Sequence, residues 1–223
     1  MGEVNTIKAA IFDMDGLLFD TERLFFELSR TIGKEIGWEI TDEVLYLSMG
    51  KNNQDIEKLL YEKLGAGFPF QLYVETWRRF RDEHIKKFGV PQKRGVREIL
   101  AAVKKANLAC ALATSSRRES AVMYLTKSGL LEHFAVIVGG EEVKRGKPEP
   151  DIFLKASSLL GVTPSACLVF EDSENGIKAG SEAGMRVIHI PDLSLVQDTV
   201  KNRIFRSFDS LEEATSSFSE LLV

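Results

Sequence analysis

A short apolar run followed by two closely spaced acids constrains this chain more than any other segment. Residues 9–12 are all apolar and end at a turn signal, which predicts a fully buried strand. Asp13 and Asp15 follow, and residues two apart in an extended chain point the same way. Two such carboxylates are costly to place together unless a cation joins them, and their oxygens suit Mg²⁺. Taken alone, however, Asp-x-Asp-Gly is also a common polar turn.

The composition indicates an ordinary globular protein with neither nucleic acid nor a membrane as its partner. The 223 residues are 44% hydrophobic and 28% charged, and the net charge of −4 gives no basic excess for nucleic acid. No stretch approaches the ~18 apolar residues of a membrane span, and the N-terminus lacks the apolar segment of a secretory signal. Cys110 and Cys167 lie in apolar strand-like runs, where buried free thiols are expected. We expect a cytoplasmic monomer.

The spacing of apolar residues divides the chain into a helical insert and an alternating remainder. From about residue 20 to residue 91 the apolar positions recur at helical spacing, which predicts a small helical bundle. From residue 95 onward, short apolar strands alternate with helices, which predicts a doubly wound parallel sheet. We therefore predict an α/β core domain formed by residues 1–19 and 92–223, and a helical cap domain formed by residues 20–91. Two linkers, near residues 17–21 and 89–94, would join them.

Polar residues occur after the predicted strands at four places along the chain. They are Asp13 with Asp15, Thr114-Ser115-Ser116, Gly146-Lys147-Pro148, and Glu171-Asp172. Each has an ordinary structural explanation as a helix cap, a solvated loop or acids in the first turn of a helix. In parallel α/β sheets, however, ligands bind outside the carboxyl ends of the strands, where all four groups would converge. Together they predict a site where carboxylates hold Mg²⁺ while the lysine and hydroxyls hold phosphoryl oxygens.

These motifs, in this order, resemble the four motifs of the haloacid dehalogenase-like hydrolase superfamily, and the resemblance covers essentially the whole chain. The residues that carry it are Asp13-x-Asp15-Gly16, Thr114, Gly146-Lys147-Pro148, and Glu171-Asp172-Ser173 with Gly176. Residues 12–22 resemble the branch with a helical cap after the first motif, which includes β-phosphoglucomutase, phosphoglycolate phosphatase and pseudouridine-5′-phosphatase. The resemblance implies a three-layer core with strand order 3-2-1-4-5, in which the cysteine-bearing strands flank the first strand on opposite sides.

The resemblance also implies a mechanism. Asp13 would attack phosphorus and form an aspartyl-phosphate, while Asp15 would protonate the leaving oxygen and then take a proton from water. Mg²⁺ would be held by the Asp13 carboxylate, the Asp15 backbone carbonyl and Asp172. Glu171 would lie in this metal shell or next to it.

A further set of residues is expected to contact the substrate. By the same resemblance, Thr114 and the Ser115 amide would bind phosphoryl oxygens, and Lys147 would pair with both the nucleophile and the phosphate. Ser116, Arg117 and Arg118 could hold a distal anionic group. In the cap, the residues nearest the linkers or in the polar loop are Thr21, Glu22, Lys51, Asn52 and Asn53.

Three residues bear on the choice among relatives. Haloacid dehalogenases proper and phosphonate-cleaving members lack a second acid at the position of Asp15, so both are disfavoured. β-Phosphoglucomutase has a histidine where this chain has Phe25 and an arginine near the position of Asn53. We therefore expect a Mg²⁺-dependent phosphatase acting on a small phosphorylated metabolite, such as a sugar phosphate or a nucleoside monophosphate. A phosphomutase is the main alternative, and a non-enzymatic regulator that kept the fold is another.

Overall fold

The computed structural model describes residues 6–49, 53–193 and 196–222, and the chain divides into two compact units. One unit, the core unit, is formed by Met1–Asp20 and Gln92–Val223. The other, the helical unit, is Thr21–Pro91. Within the described residues, no helix combines the length and the apolar character needed to cross a membrane.

The helical unit contains four described helices. They are α1 (Thr21–Glu35), α2 (Asp42–Ser48), α3 (Asn53–Leu64) and α4 (Phe70–Phe88). Apolar side chains at helical spacing on α1, such as Leu24, Leu28 and Ile32, are buried, as expected for an amphipathic helix. Inside this unit the hydroxyls of Ser29 and Tyr73 lie 2.8 Å apart, so two helices also share a buried hydrogen bond.

The core unit is built on a six-stranded parallel sheet. Its strands are β1 (Ala9–Phe12), β2 (Ala109–Ala113), β3 (Val136–Val138), β4 (Cys167–Glu171), β5 (Arg186–His189) and β6 (Arg206–Ser207), in the order β3-β2-β1-β4-β5-β6. The predicted α/β fold class and the order 3-2-1-4-5 are confirmed. The sixth strand was not predicted, because its two residues are polar and exposed and give no apolar signal.

Helices connect the strands and cover the sheet. The core unit contains α5 (Val96–Lys105), α6 (Arg118–Ser128), α7 (Asp151–Leu160), α8 (Glu174–Glu182), α9 (Asp198–Lys201) and α10 (Leu211–Ser216). Short 3₁₀ segments lie at Leu131–His133, Gly140–Glu142, Pro164–Ala166 and Phe218–Leu222. Alternate strand residues, including Ala9 and Ile11, pack with Phe153 of α7 and Ala179 of α8. One face of the sheet is thereby closed by helices, as parallel sheets require.

The first strand lies at the centre of this sheet and is fully buried. Ala10 pairs with Cys110 on one side and with Leu168 on the other, so β2 and β4 both flank β1. The strands that carry Cys110 and Cys167 are therefore on opposite sides of β1, and both thiols are free and buried. Phe12 stacks on Phe170 at a ring-centroid distance of 4.6 Å. This packing fixes the end of β1, and with it the segment that carries the two acids.

Candidate active site

Predicted functional residues follow the carboxyl ends of the three central strands. Asp13 comes directly after β1, Thr114 directly after β2, and Glu171 ends β4. Ladder hydrogen bonds continue one residue beyond the strands, because the Asp13 amide donates to the Phe170 carbonyl at 3.0 Å. The three residues are therefore held at the ends of neighbouring strands, at the edge of the sheet where α/β proteins bind ligands.

A buried lysine joins two of these carboxylates. Lys147 Nζ donates to Asp13 Oδ1 at 2.5 Å and to Glu171 Oε1 at 2.6 Å. All three side chains are at most 9% exposed, and the ammonium group also lies 4.9 Å from the centre of the Phe153 ring. In this dry environment the two contacts are charge-assisted hydrogen bonds, which hold the three groups in a fixed arrangement.

The protonation of this cluster reflects a competition between burial and charge. Burial by itself would lower the pKa of Lys147, but the negative charges of Asp13 and Glu171 outweigh it and raise that pKa. Burial raises the pKa of Asp13 to about 7, against the opposing effect of Lys147 and with further help from Glu171 and Asp15. Lys147 is thus firmly cationic, and a single ammonium group does not balance the carboxylates around it.

Glu171 is held by hydrogen bonds on both of its oxygens. Besides Lys147, it accepts at Oε2 from the Asp172 amide (2.9 Å), the Ser173 amide (2.9 Å) and the Ser173 hydroxyl (3.0 Å). A Cβ on Gly176 would lie 1.7 Å from Glu171 Oε1, so this glycine makes room for the carboxylate at the start of α8. These contacts fix the carboxylate that accepts from Lys147, while the place of Glu171 in the metal shell or next to it stays a prediction.

Asp172 is a buried acid on which neighbouring negative charges act. Burial, followed by the charges of Glu171 and Asp13, raises its pKa well above the ordinary value. Gly16 has a φ of +83°, and a Cβ there would lie 2.5 Å from Asp172 Oδ2 and 3.3 Å from Asp192 Oδ2. Only glycine leaves this space clear and tolerates that backbone conformation at no cost.

The buried acids at this edge have the chemistry that a divalent cation needs. Within the described ranges, no three aspartate, glutamate, histidine or cysteine side chains meet as a metal-binding group. The carboxylates of Asp13 and Asp172, two buried acids whose charges act on each other, offer hard oxygen atoms of the kind that Mg²⁺ prefers, and Mg²⁺ usually keeps several waters. The buried excess of negative charge is what such an ion would neutralise.

Asp192 was missed by the sequence analysis. It follows β5, its side chain is only 1% exposed, and its Oδ1 accepts from Lys93 Nζ at 2.5 Å. Its charge also contributes to the raised pKa of Asp172. The usable signal was its position, because Asp192 follows a strand at the same sheet edge as the other acids. The dipeptide Pro191-Asp192, however, is also an ordinary turn.

The segment after β2 contacts the second acid of the first motif. Ser116 Oγ donates to Asp15 Oδ2 at 2.7 Å, and Thr114 Oγ1 lies 3.4 Å from the same oxygen. The Ser116 amide donates to Thr114 Oγ1 at 3.0 Å. Ser115 and Arg117 are exposed, and Arg117 is the residue before α6. The structure therefore brings Thr114 and Ser116 to Asp15, while no described contact joins Ser115 or Arg117 to the acids.

The predicted substrate contacts of the cap belong to the helical unit. Thr21 and Glu22 are the first two residues of α1 and are half-buried. Lys51 and Asn52 lie outside the described residues. Asn53 is the first residue of α3.

Comparisons with known proteins relate the chain to phosphatases. The model of a family described as haloacid dehalogenase-like hydrolase matches residues 10–190. A protein of Thermotoga maritima named phosphorylated carbohydrates phosphatase is 35% identical over 185 residues, which cover 82% of this chain and 84% of that protein. A Drosophila melanogaster protein named probable pseudouridine-5′-phosphatase is 33% identical over 202 residues, covering 86% and 85% of the two chains.

A solved structure extends the similarity to three dimensions. A mutant of CbbY from Rhodobacter sphaeroides, crystallised in complex with xylulose-(1,5)bisphosphate, superposes with a TM-score of 0.77 at 26% identity. The alignment covers 93% of this chain and 96% of that chain. Both units of the present chain therefore fall within the matched region.

Proposed function

This chain belongs to the haloacid dehalogenase-like hydrolase family as a phosphomonoester hydrolase, and we propose that it dephosphorylates a small metabolite through an aspartyl-phosphate in a Mg²⁺-dependent reaction. The observation that carries the proposal is the buried Asp13–Lys147–Glu171 cluster at the carboxyl edge of the sheet. Phosphoryl transfer requires mainly positioning and charge neutralisation, and this cluster offers a carboxylate nucleophile beside a fixed cation.

In the first half-reaction the Asp13 carboxylate attacks phosphorus. A bond forms between a carboxylate oxygen and phosphorus while the bond from phosphorus to the ester oxygen breaks. The electron pair goes to the ester oxygen, and Asp15 supplies the proton that makes it an alcohol. Lys147 stays protonated throughout, because the neighbouring negative charges raise its pKa, and it attracts the phosphoryl oxygens as they approach Asp13.

In the second half-reaction water attacks the phosphorus of the aspartyl-phosphate. Asp15, now ionised, takes a proton from that water, and the bond between phosphorus and the Asp13 oxygen breaks. Inorganic phosphate leaves, the Asp13 carboxylate is regenerated, and Asp15 is protonated for the next cycle. The Thr114 hydroxyl and the Ser115 amide are the proposed donors to the phosphoryl oxygens in both halves.

Asp13, Asp172 and the Asp15 carbonyl are the proposed ligands of the magnesium ion. Bound there, Mg²⁺ would neutralise charge that builds on the phosphoryl oxygens. Gly16 keeps the space beside Asp172 open. Glu171 acts on the reaction through Lys147, whose ammonium group it orients by accepting a hydrogen bond from it.

The substrate class rests on the relatives. The names of the Thermotoga maritima and Drosophila melanogaster proteins refer to phosphorylated carbohydrates and to a nucleoside monophosphate, and the CbbY mutant was crystallised with a sugar bisphosphate. We therefore propose a phosphorylated sugar or a nucleoside monophosphate as the substrate of this chain.

Phosphate release from a broad panel of metabolites tests the proposal. The purified protein should release phosphate from at least one sugar phosphate or nucleoside monophosphate with Mg²⁺, and a chelator or Asp13→Asn should abolish the release. Acid quenching during turnover should trap phosphate on the wild type but not on the variant. If the wild type released no more phosphate than Asp13→Asn across the panel, the proposal would be wrong. A coupled assay for hexose 6-phosphate, with hexose 1-phosphate and a bisphosphate primer, would reveal a phosphomutase instead.

A further inference from the structure

Two hydroxyl groups from the segment after β2 donate to one oxygen of Asp15, and they do so unequally. The distance of 2.7 Å from Ser116 Oγ to Asp15 Oδ2 is the common length of a hydroxyl hydrogen bond. The distance of 3.4 Å from Thr114 Oγ1 to the same oxygen is well beyond it. Ser116 therefore makes the stronger contact with the carboxyl group.

The backbone on both sides fixes the position of the Ser116 hydroxyl. The Ser116 amide donates to Thr114 Oγ1 at 3.0 Å, and its carbonyl accepts from the Gly140 amide at 2.9 Å. A Cβ on Gly140 would lie 2.3 Å from the Ser115 carbonyl oxygen, so the two loops are tightly packed against each other. The Ser116 side chain thus leaves an anchored backbone and reaches Asp15 without needing a long flexible arm.

During the reaction two acceptors, a phosphoryl oxygen and Asp15, compete for the hydroxyl proton of Thr114, but not for that of Ser116. A hydroxyl group has one proton to donate. Under the proposed function the Thr114 hydroxyl donates to a phosphoryl oxygen, so it cannot donate to Asp15 at the same moment. Ser116 is then the donor from this segment that keeps its hold on Asp15 while the phosphoryl group is in place.

We propose that Ser116 is a positioning residue that holds the carboxyl group of Asp15 for proton transfer to the leaving oxygen. The proposal rests on the proposed function of Asp15 and differs from the predicted role of Ser116 as a substrate contact. The hydrogen bond on Oδ2 fixes the orientation of the carboxyl group, and with it the position of Oδ1. Proton transfer needs the acid within hydrogen-bond reach of the leaving oxygen, and small misplacements of catalytic groups are costly.

The test compares two esters that differ in their need for an acid. An alkyl phosphate expels an alkoxide that must be protonated, whereas p-nitrophenyl phosphate expels a phenolate that leaves without a proton. The rate of ester consumption in a single turnover, measured by rapid quench, isolates the first half-reaction. Ser116→Ala should slow the alkyl ester by about tenfold or more, a part of the 10²–10⁴ that general acids contribute, and the aryl ester by less than about threefold. Ser116→Thr, which keeps a hydroxyl group, should restore most of the loss.

Ser158→Ala is the matched control, since it removes an exposed hydroxyl group from α7 in the same unit. It should leave both esters unchanged, and circular dichroism should show that all variants are folded. Equal losses for the two esters, no loss for either, or a change in KM alone would overturn the positioning role. Wild-type phosphate release in the same assays would uphold the proposed function even then, so the two failures are distinguishable.

Discussion

Asp13 should lower the stability of the metal-free protein, although the proposed reaction depends on this residue. Burial raises the pKa of this carboxyl group from 3.8 to about 7, even though Lys147 lies 2.5 Å away. At about 1.4 kcal/mol for each pKa unit, the difference corresponds to about 4 kcal/mol. We therefore predict that Asp13→Asn, which has a similar shape and cannot ionise, is more stable than the wild type at pH 8 in the presence of a chelator.

The pH dependence follows from which state releases its proton first. The unfolded chain loses the Asp13 proton near pH 3.8, whereas the folded protein keeps it until about pH 7. The folded state therefore binds more protons between these values, and the stability contributed by Asp13 is complete below pH 3.8 and lost as the pH rises through 7. The advantage of Asp13→Asn should be less than about 2 kcal/mol at pH 5 and about 4 kcal/mol at pH 8.

Urea unfolding with a chelator at pH 5 and pH 8 measures this difference, and thermal melts should show a gain of roughly 10 °C at pH 8. Asp198→Asn is the control, because that aspartate is 92% exposed in the same unit and should change stability by no more than about 0.5 kcal/mol. If Asp13→Asn were equal to or less stable than the wild type at pH 8, the ion pair with Lys147 would outweigh burial. Our inference of a bound cation, which rests on the charge imbalance, would then be wrong.

Two other substitutions examine the surroundings of the proposed metal ion. Gly16→Ala should lower the free energy of unfolding by about 1–3 kcal/mol and remove the rise in melting temperature on adding Mg²⁺, because its Cβ would displace Asp172. Gly184→Ala is the control, since Gly184 has a φ of +74° and no atom lies within 4 Å of its Cβ. It carries the backbone strain alone and should keep the rise. Glu171→Gln should lower kcat about 10–100-fold by loosening Lys147 while leaving the calorimetric affinity for Mg²⁺ within about threefold, and a tenfold loss of affinity would instead make Glu171 a metal ligand.

The positions of the acids could be predicted because they follow from a local pattern. Residues 9–12 form an apolar run, so β1 was expected to be buried, and a central strand brings Asp13 to the middle of the sheet edge. The order of the neighbouring strands came from the resemblance. By contrast, β6 was missed because two exposed residues, Arg206 and Ser207, leave no periodic signal and owe their pairing to β5.

The roles of individual side chains were harder to predict because they depend on contacts that sequence spacing does not encode. Glu171 and Asp172 are adjacent acids, yet the first is turned toward Lys147 and the N-terminus of α8 while the second lies beside Gly16. Glycine at position 176 permits the first arrangement. Ser116 likewise looked like a substrate contact, and only the three-dimensional packing shows its hydroxyl on Asp15.

The central position of β1 also affects how the protein is made. A ribosome synthesises this strand first, but its partners in β2 and β4 emerge about 100 and more than 150 residues later. At roughly 5–20 residues per second, the apolar segment Ala9–Phe12 waits on the order of ten seconds or more for both neighbours. The helical unit is one continuous segment, Thr21–Pro91, and a compact unit of its own, so it can form during that delay. Nascent chains that stop before residue 167 lack β4 and would therefore leave at least one side of the central strand unpaired, which makes them candidates for chaperone capture.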